Sequence, residues 1–235
     1  MSDRGQSNVV GVALLLAVAV ISMGALTAAV GVVVDSTAAQ ADADRVANDL
    51  DAALQPVAAT GPQRGQVTFS SGRLYAEERT LSVRADGNRV DRVQVDALVF
   101  ESGGRRVVYI MGAFVRGRPG RAWVESQPPI TVDDDVLIVG APKVGSDLGS
   151  VGGSGGVTAT LASDVSHDRR SLGNATFTLS LETTTPAAWA RAFESLGATV
   201  TRTPGEPATV EATFPGDRTG YLVVHDLDAE VTADG

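Results

Sequence analysis

Val9-Val10-Gly11-Val12-Ala13-Leu14-Leu15-Leu16-Ala17-Val18-Ala19-Val20-Ile21-Ser22-Met23-Gly24-Ala25-Leu26-Thr27-Ala28-Ala29-Val30-Gly31-Val32-Val33-Val34 is the stretch on which the fold turns. No charged side chain lies between Arg4 and Asp35. As a helix the run would be about 39 Å long at 1.5 Å per residue, enough to cross a bilayer with some tilt. On its C-terminal side the chain stays rich in Ala and Asp up to Val57. Val46, Leu50, Leu54 and Val57 recur at steps of four, four and three, which makes one apolar stripe. Asp42, Asp44, Asp49 and Asp51 fall mostly off that stripe. Pro56 and Gly61-Pro62 are stop signals. The pattern predicts one helix of about 45–50 residues, bounded by cap and breaker signals. Its first part (6–34) is apolar all round, and its second (35–60) is amphipathic and laid on a globular head.

The N-terminal flank decides how such a helix is used. A removed signal peptide has an apolar core of about 7–15 residues followed by small residues. Here the core is far longer, although Thr37-Ala38-Ala39-Gln40-Ala41 would supply the small residues. A plain signal anchor needs only the span and a positive flank. The third reading is cleavage ahead of the helix, which stays on the mature chain. Asp3-Arg4-Gly5-Gln6-Ser7-Asn8-Val9-Val10-Gly11 resembles the processing site of archaeal type IV pilins and archaellins: a basic residue, a small residue at the cut, Gln after it, then an unbroken apolar helix. That resemblance implies a leader at 1–5, cleaved between Gly5 and Gln6 by a prepilin peptidase, with Arg4 and Gly5 recognised. It also implies sister pilin subunits and pilus assembly machinery as partners. The position that carries Glu in bacterial type IV pilins is Val10 here, a departure shared by many archaeal relatives of that family.

Composition agrees with a salt-adapted, haloarchaeal source of the kind the resemblance implies. Acidic residues number 28 against 19 basic ones, Lys143 is the single lysine, and the net charge is −9. An acidic, arginine-dominated surface stays soluble where salt screens charge. It argues against nucleic-acid binding, which needs basic patches to neutralise phosphate, so the link to lipid is the helix alone. There is no cysteine, hence no disulfide, no thiolate metal site and no thiol nucleophile.

Beyond residue 60 the fold class reads as α+β. A mainly antiparallel β domain is expected over 61–144, with strands at Leu81–Val83, Val90–Val95, Ala97–Glu101, Arg106–Val115 and Val136–Val139 and turns at Asp86-Gly87-Asn88 and Ser102-Gly103-Gly104. Val107 to Phe114 is apolar on both faces, which predicts a central strand covered by the long helix. Order and spacing of these strands loosely resemble pilin-like heads of haloarchaea. Gly149 to Gly156 reads as a flexible linker over 145–156. It parts a segment with 15 acidic and 13 basic residues (35–144) from one with 12 and 5 (145–235). The last part, 157–235, is expected to be a second small α+β unit. It has an alternating strand through Phe177, Leu179 and Leu181, and a helix opening at Pro186. Further strands are expected near 198–203, 209–214 and 221–225. Trp189, Phe193 and Leu196 at i, i+4 and i+7 belong to a core face more readily than to a binding patch.

Chemistry is sparse. Asp133-Asp134-Asp135 lacks the Gly and closing Glu of a calcium loop and reads as a charged turn. His167 and His225 are the only histidines, and no nucleophile elbow, zinc-protease motif or phosphate loop accompanies them. No enzyme, metal or cofactor is expected. Asn174-Ala175-Thr176 fits the N-glycosylation acceptor pattern after a surface turn at Ser171-Leu172-Gly173. In the apolar helix, Gly24 and Ala28 form a small-xxx-small pair suited to helix packing, although glycine is common in membrane helices anyway. The expectation is a type IV pilin-like subunit (major, minor or pseudopilin). It would be single-pass in the cell membrane with its head outside, and part of a surface filament after assembly. The alternative is a single-pass anchored binding protein.

Overall fold

The computed structural model describes residues 3–55, 57–118, 120–145 and 148–233, with side chains from residue 12 onward. The chain is α+β: one long helix laid on a large, mostly antiparallel sheet, with a second short helix on the far side. Helix α1 runs Asp3–Ala53, 51 residues without a break. It stops just before Pro56, which itself lies outside the described residues. Gly61-Pro62, expected to close the helix, instead opens the first strand.

Thirteen strands follow among the described residues. In order they are β1 (Gly61–Glu77), β2 (Thr80–Ala85), β3 (Asn88–Gln94), β4 (Ala97–Ser102), β5 (Arg105–Ile110), β6 (Ala113–Arg118), β7 (Arg121–Val124), β8 (Ile130–Val132), β9 (Val136–Lys143), β10 (Ser150–Thr183), β11 (Thr199–Thr203), β12 (Ala208–Asp226) and β13 (Glu230–Ala233). Helix α2 is Pro186–Ser195. The spine of the sheet is β7-β6-β5-β4-β1-β10-β12-β9-β8, with β2 and β13 on β10, β3 on β2, and β11 on β12. All pairs are antiparallel except β9 with β12. The two-residue turns Asp86-Gly87, Gly103-Gly104 and Met111-Gly112 have positive φ at both positions, the geometry that matches strand twist in tight hairpins. The last of these divides the single strand expected over 106–115 into β5 and β6, at Met111 φ 52° and Gly112 φ 72°. The strands expected at 209–214 and 221–225 are one strand, β12.

The expected flexible linker is not a linker. Ser150 to Ser154 pair with Tyr75 to Ser71, and the ladder resumes at Val157 with Phe69. Gly155 and Gly156, with φ 92° and 97°, form a bulge opposite Ser70. Glycine is there because both residues sit in a backbone region that side chains disfavour. β10 continues without interruption, pairing with β1 up to Val165 and with β12 from Ser166. One strand thus links the regions that the composition had divided, and β2 of the earlier region pairs with β10 at residues 177–181.

Two cores lie on opposite faces of β4 and β5. Ala43, Val46, Ala47, Leu50 and Leu54 of α1 pack on Phe69, Leu98, Phe100, Val107 and Tyr109. Val99, Val108 and Ile110 face the other way, toward Leu81, Phe177, Leu179, Leu181 and the Trp189 and Phe193 side chains of α2. Val107 to Ile110 is therefore buried on both faces with the helix over one of them, as its composition predicts. Trp189 and Phe193 are fully buried core residues.

Tyr109 sits in the helix-side core at 1 % exposure, and its hydroxyl meets no partner among the described residues. Burial, reinforced by the charge of Asp51, pushes this phenol far above its ordinary value of 10.0. Its raised value favours the folded state only while the phenol stays protonated, so that stability is complete below pH 10 and declines as pH rises further. Tyr109→Phe keeps the ring and removes the unsatisfied group. It should be neutral or raise stability by up to about 1 kcal/mol at pH 7, and the variant should lose less stability than the parent between pH 9 and pH 11, read from urea midpoints.

Candidate functional site: an exposed apolar helix clamped to the head

Residues 12–34 of α1 are exposed along their whole length. Leu15, Ile21 and Met23 are each at least 70 % exposed, and a side chain placed at Gly24 or Gly31 would meet no atom within 4 Å. Within this stretch is a helix long and apolar enough to span a membrane. Within it Thr27 Oγ1 donates to the Met23 carbonyl at 2.9 Å, and just past its end Ser36 and Thr37 both donate to the Val33 carbonyl at 2.9 Å. That pattern suits a segment with no water to satisfy hydroxyls. Gly24 and Ala28 lie one turn apart on this free rod, so the close-approach surface they offer is open.

The head takes hold where the charges begin. The β4–β5 turn abuts α1: a Cβ at Gly103 would lie 2.6 Å from the Ala39 Cβ, so only glycine lets the turn sit there. One step further, Asp42 is 3 % exposed. Its Oδ1 accepts the Ser70 N–H at 2.9 Å and its Oδ2 the Ser71 N–H at 3.1 Å. Two helical turns on, Asp49 Oδ2 accepts the N–H of Thr68 at 3.0 Å and its hydroxyl at 3.3 Å. Asp44 pairs with Arg116, which also forks onto Glu125 at 2.9 and 3.1 Å. Sequence patterning placed these aspartates mostly off the apolar stripe. In the structure Asp42 and Asp49 line the edge of the apolar stripe and bind β1, Asp42 where the β1–β10 ladder breaks and Asp49 at Thr68 just before the break. Their seven-residue spacing beside the stripe was the available signal.

The other predicted residues stand as follows. Arg4, Gly5 and Gln6 fall among the helical positions whose side chains lie outside the described residues. Asn174 is exposed on β10 opposite Thr219, and the turn expected before it is a strand bulge between Ser171 and Gly173. Asp133 to Asp135 form the exposed β8–β9 turn, where Asp133 Oδ1 accepts the Asp134 N–H at 2.8 Å. Among the described residues no group of three or more His, Cys, Asp or Glu gathers to hold a metal. The two histidines, 58 positions apart in sequence, face each other across β10 and β12.

Two charge-assisted hydrogen bonds to one buried carboxylate make Asp42 the strongest polar tie between helix and head. Asp42→Ala should cost about 1.5–3 kcal/mol, whereas Asp44→Ala, at a side chain half open to water, should cost under about 1 kcal/mol. Urea unfolding of the full chain in detergent, followed by tryptophan fluorescence, checks both.

No curated protein and no solved structure matches the chain. A family model does match, and it covers residues 4–230, the apolar helix together with nearly all of the head. On that match the chain belongs to DUF7289, a family of unknown function.

Proposed function

We propose that this protein is a type IV pilin-like subunit of a cell-surface filament, held in the membrane by α1 before assembly. The observation that carries the reading is the division of one unbroken helix. Its first part is apolar on every side and free, and its second is locked into the core of the head. An all-apolar rod is stable in lipid or against other apolar rods, and removing it from lipid requires equivalent burial elsewhere. A bundle of the same helix from sister subunits supplies that burial. Gly24 and Ala28 allow close backbone approach in such a bundle. An anchor needs no rigid coupling between span and head, whereas a filament subunit does, because the packing of the rods then sets the position of every head.

In this reading a prepilin peptidase recognises Arg4 and Gly5 and cuts before Gln6, leaving the rod on the mature chain. The acidic head faces outward, and Asn174, exposed on β10, is a glycan acceptor there.

The mature N-terminus, determined by mass spectrometry of protein from membranes and from sheared surface filaments, tests the proposal. A chain beginning at Gln6 is expected. A chain that keeps Met1 or Ser2, and is missing from sheared material, overturns it in favour of a single-pass anchored head. Gly24→Leu should lower the filament yield severalfold while the urea midpoint of the head stays unchanged, since residue 24 touches nothing in the monomer.

A further inference from the structure

Between Glu101 and Glu125 the chain has five arginines and no acidic residue, although its net charge is −9. The fold brings part of this stretch to the place where the apolar run ends. The β4–β5 turn abuts α1, and a Cβ at Gly103 would lie 3.9 Å from the carbonyl oxygen of Asp35, the first charged residue after that run. Arg105 opens β5 beside this turn. Arg106 stands opposite Gly117, which brings Arg105 next to Arg118 at the strand ends. Across the next hairpin Arg118 is in direct register with Arg121. Three arginines thus line the rim of the sheet from which the free part of α1 emerges.

Such a rim is unfavourable by itself, because like charges directly opposite on neighbouring strands repel. Two of the five arginines are neutralised, Arg106 by Glu77 and Glu101, and Arg116 by Asp44 and Glu125. Arg105, Arg118 and Arg121 have no ion pair or hydrogen bond among the described residues, and the buried Nε of Arg105 has no acceptor there. Their height along α1 is set by the Arg116–Asp44 pair. Asp44 lies about 15 Å along the helix from Val34. Arg118 is two strand residues nearer the apolar run, about 7 Å. Its backbone therefore stands about 8 Å above the end of that run, and a headgroup layer is about 5–7 Å deep.

We propose that Arg105, Arg118 and Arg121 form a docking rim for the phosphates of anionic lipid headgroups, which seats the head on the bilayer while α1 spans it. The guanidinium fork matches phosphate oxygens in pairs, and where salt screens charge such direct contacts are what remains of the attraction. Composition could not show this rim. The first basic residue after the apolar run is Arg45, and the charge averaged over the head is acidic. In this reading the link to lipid is the helix together with the rim, and not the helix alone. The inference rests on α1 as the membrane span and is independent of filament formation.

Hydrogen exchange of the full chain in lipid nanodiscs, read by mass spectrometry over residues 116–123, tests the rim. One set of discs holds phosphatidylcholine alone, and the other an equal mixture with phosphatidylglycerol. Exchange in the β6–β7 hairpin is expected to slow severalfold in the anionic discs only. The slowing should vanish in the Arg118→Gln, Arg121→Gln double variant. Both side chains are exposed, so the urea midpoint of the variant head should not fall. Equal exchange in the two discs, or slowing that survives the double substitution, would overturn the proposal while leaving the span intact. The same slowing given by inorganic phosphate in neutral discs would make a free anion the ligand, and slowing seen only in sheared filaments would make it a carboxylate of a sister subunit. Either result overturns the lipid assignment. A chain that enters neither disc would remove the span itself, and the rim with it.

Discussion

The backbone of β1 cannot satisfy its own hydrogen bonds at the place where the sheet bulges, and the rest of the structure is arranged around that constraint. Opposite Ser70, Gly155 and Gly156 take one position more than the partner strand offers. The N–H groups of Ser70 and Ser71 turn to the carboxylate of Asp42 instead. A helix is thereby stitched to a sheet by its side chain. Because Asp42 borders the face that carries Ala43, Val46, Leu50 and Leu54, those bonds help set the rotation of the helix that buries the stripe. Asp49 repeats the device two turns later on Thr68. A buried carboxylate costs free energy unless it is fully used, and both oxygens of Asp42 are used.

The consequence reaches beyond the head. A helix locked over its second half transmits its direction to the first, since no glycine pair, proline or bulge interrupts α1 between Val12 and Ala53. The free rod is therefore an extension of the core and not a tether. Its apolar surface is available on every side, and whatever buries it, lipid or other rods, also fixes where the head points. This rigid coupling is the feature on which the proposed filament role rests.

Much of this was legible along the chain because it depends on local spacing. The uncharged run, the apolar stripe at Val46, Leu50 and Leu54, the hairpin turns at Asp86-Gly87 and Gly103-Gly104, and the buried Trp189–Phe193 face all follow from periods of 3.6 and 2 and from residues that tolerate positive φ. The Gly149–Gly156 run was misread for a physical reason. Composition reports backbone freedom, and the same freedom serves a linker or a bulge in a crowded ladder. Only the partner strand tells them apart. The break at Met111-Gly112 was hidden likewise, because an apolar run carries no mark of where it reverses.

Local order thus set the unbroken helix, its apolar and amphipathic parts, and the β character of the head, since each depends on neighbours a few residues away. Long-range pairing decided the remainder: that β10 joins two regions of different charge into one sheet, that Asp42 serves a backbone 28 positions distant, and that His167 meets His225. Such contacts depend on which strands come to lie side by side, and that choice is made by burial summed over the whole chain, to which no short stretch of residues is sensitive.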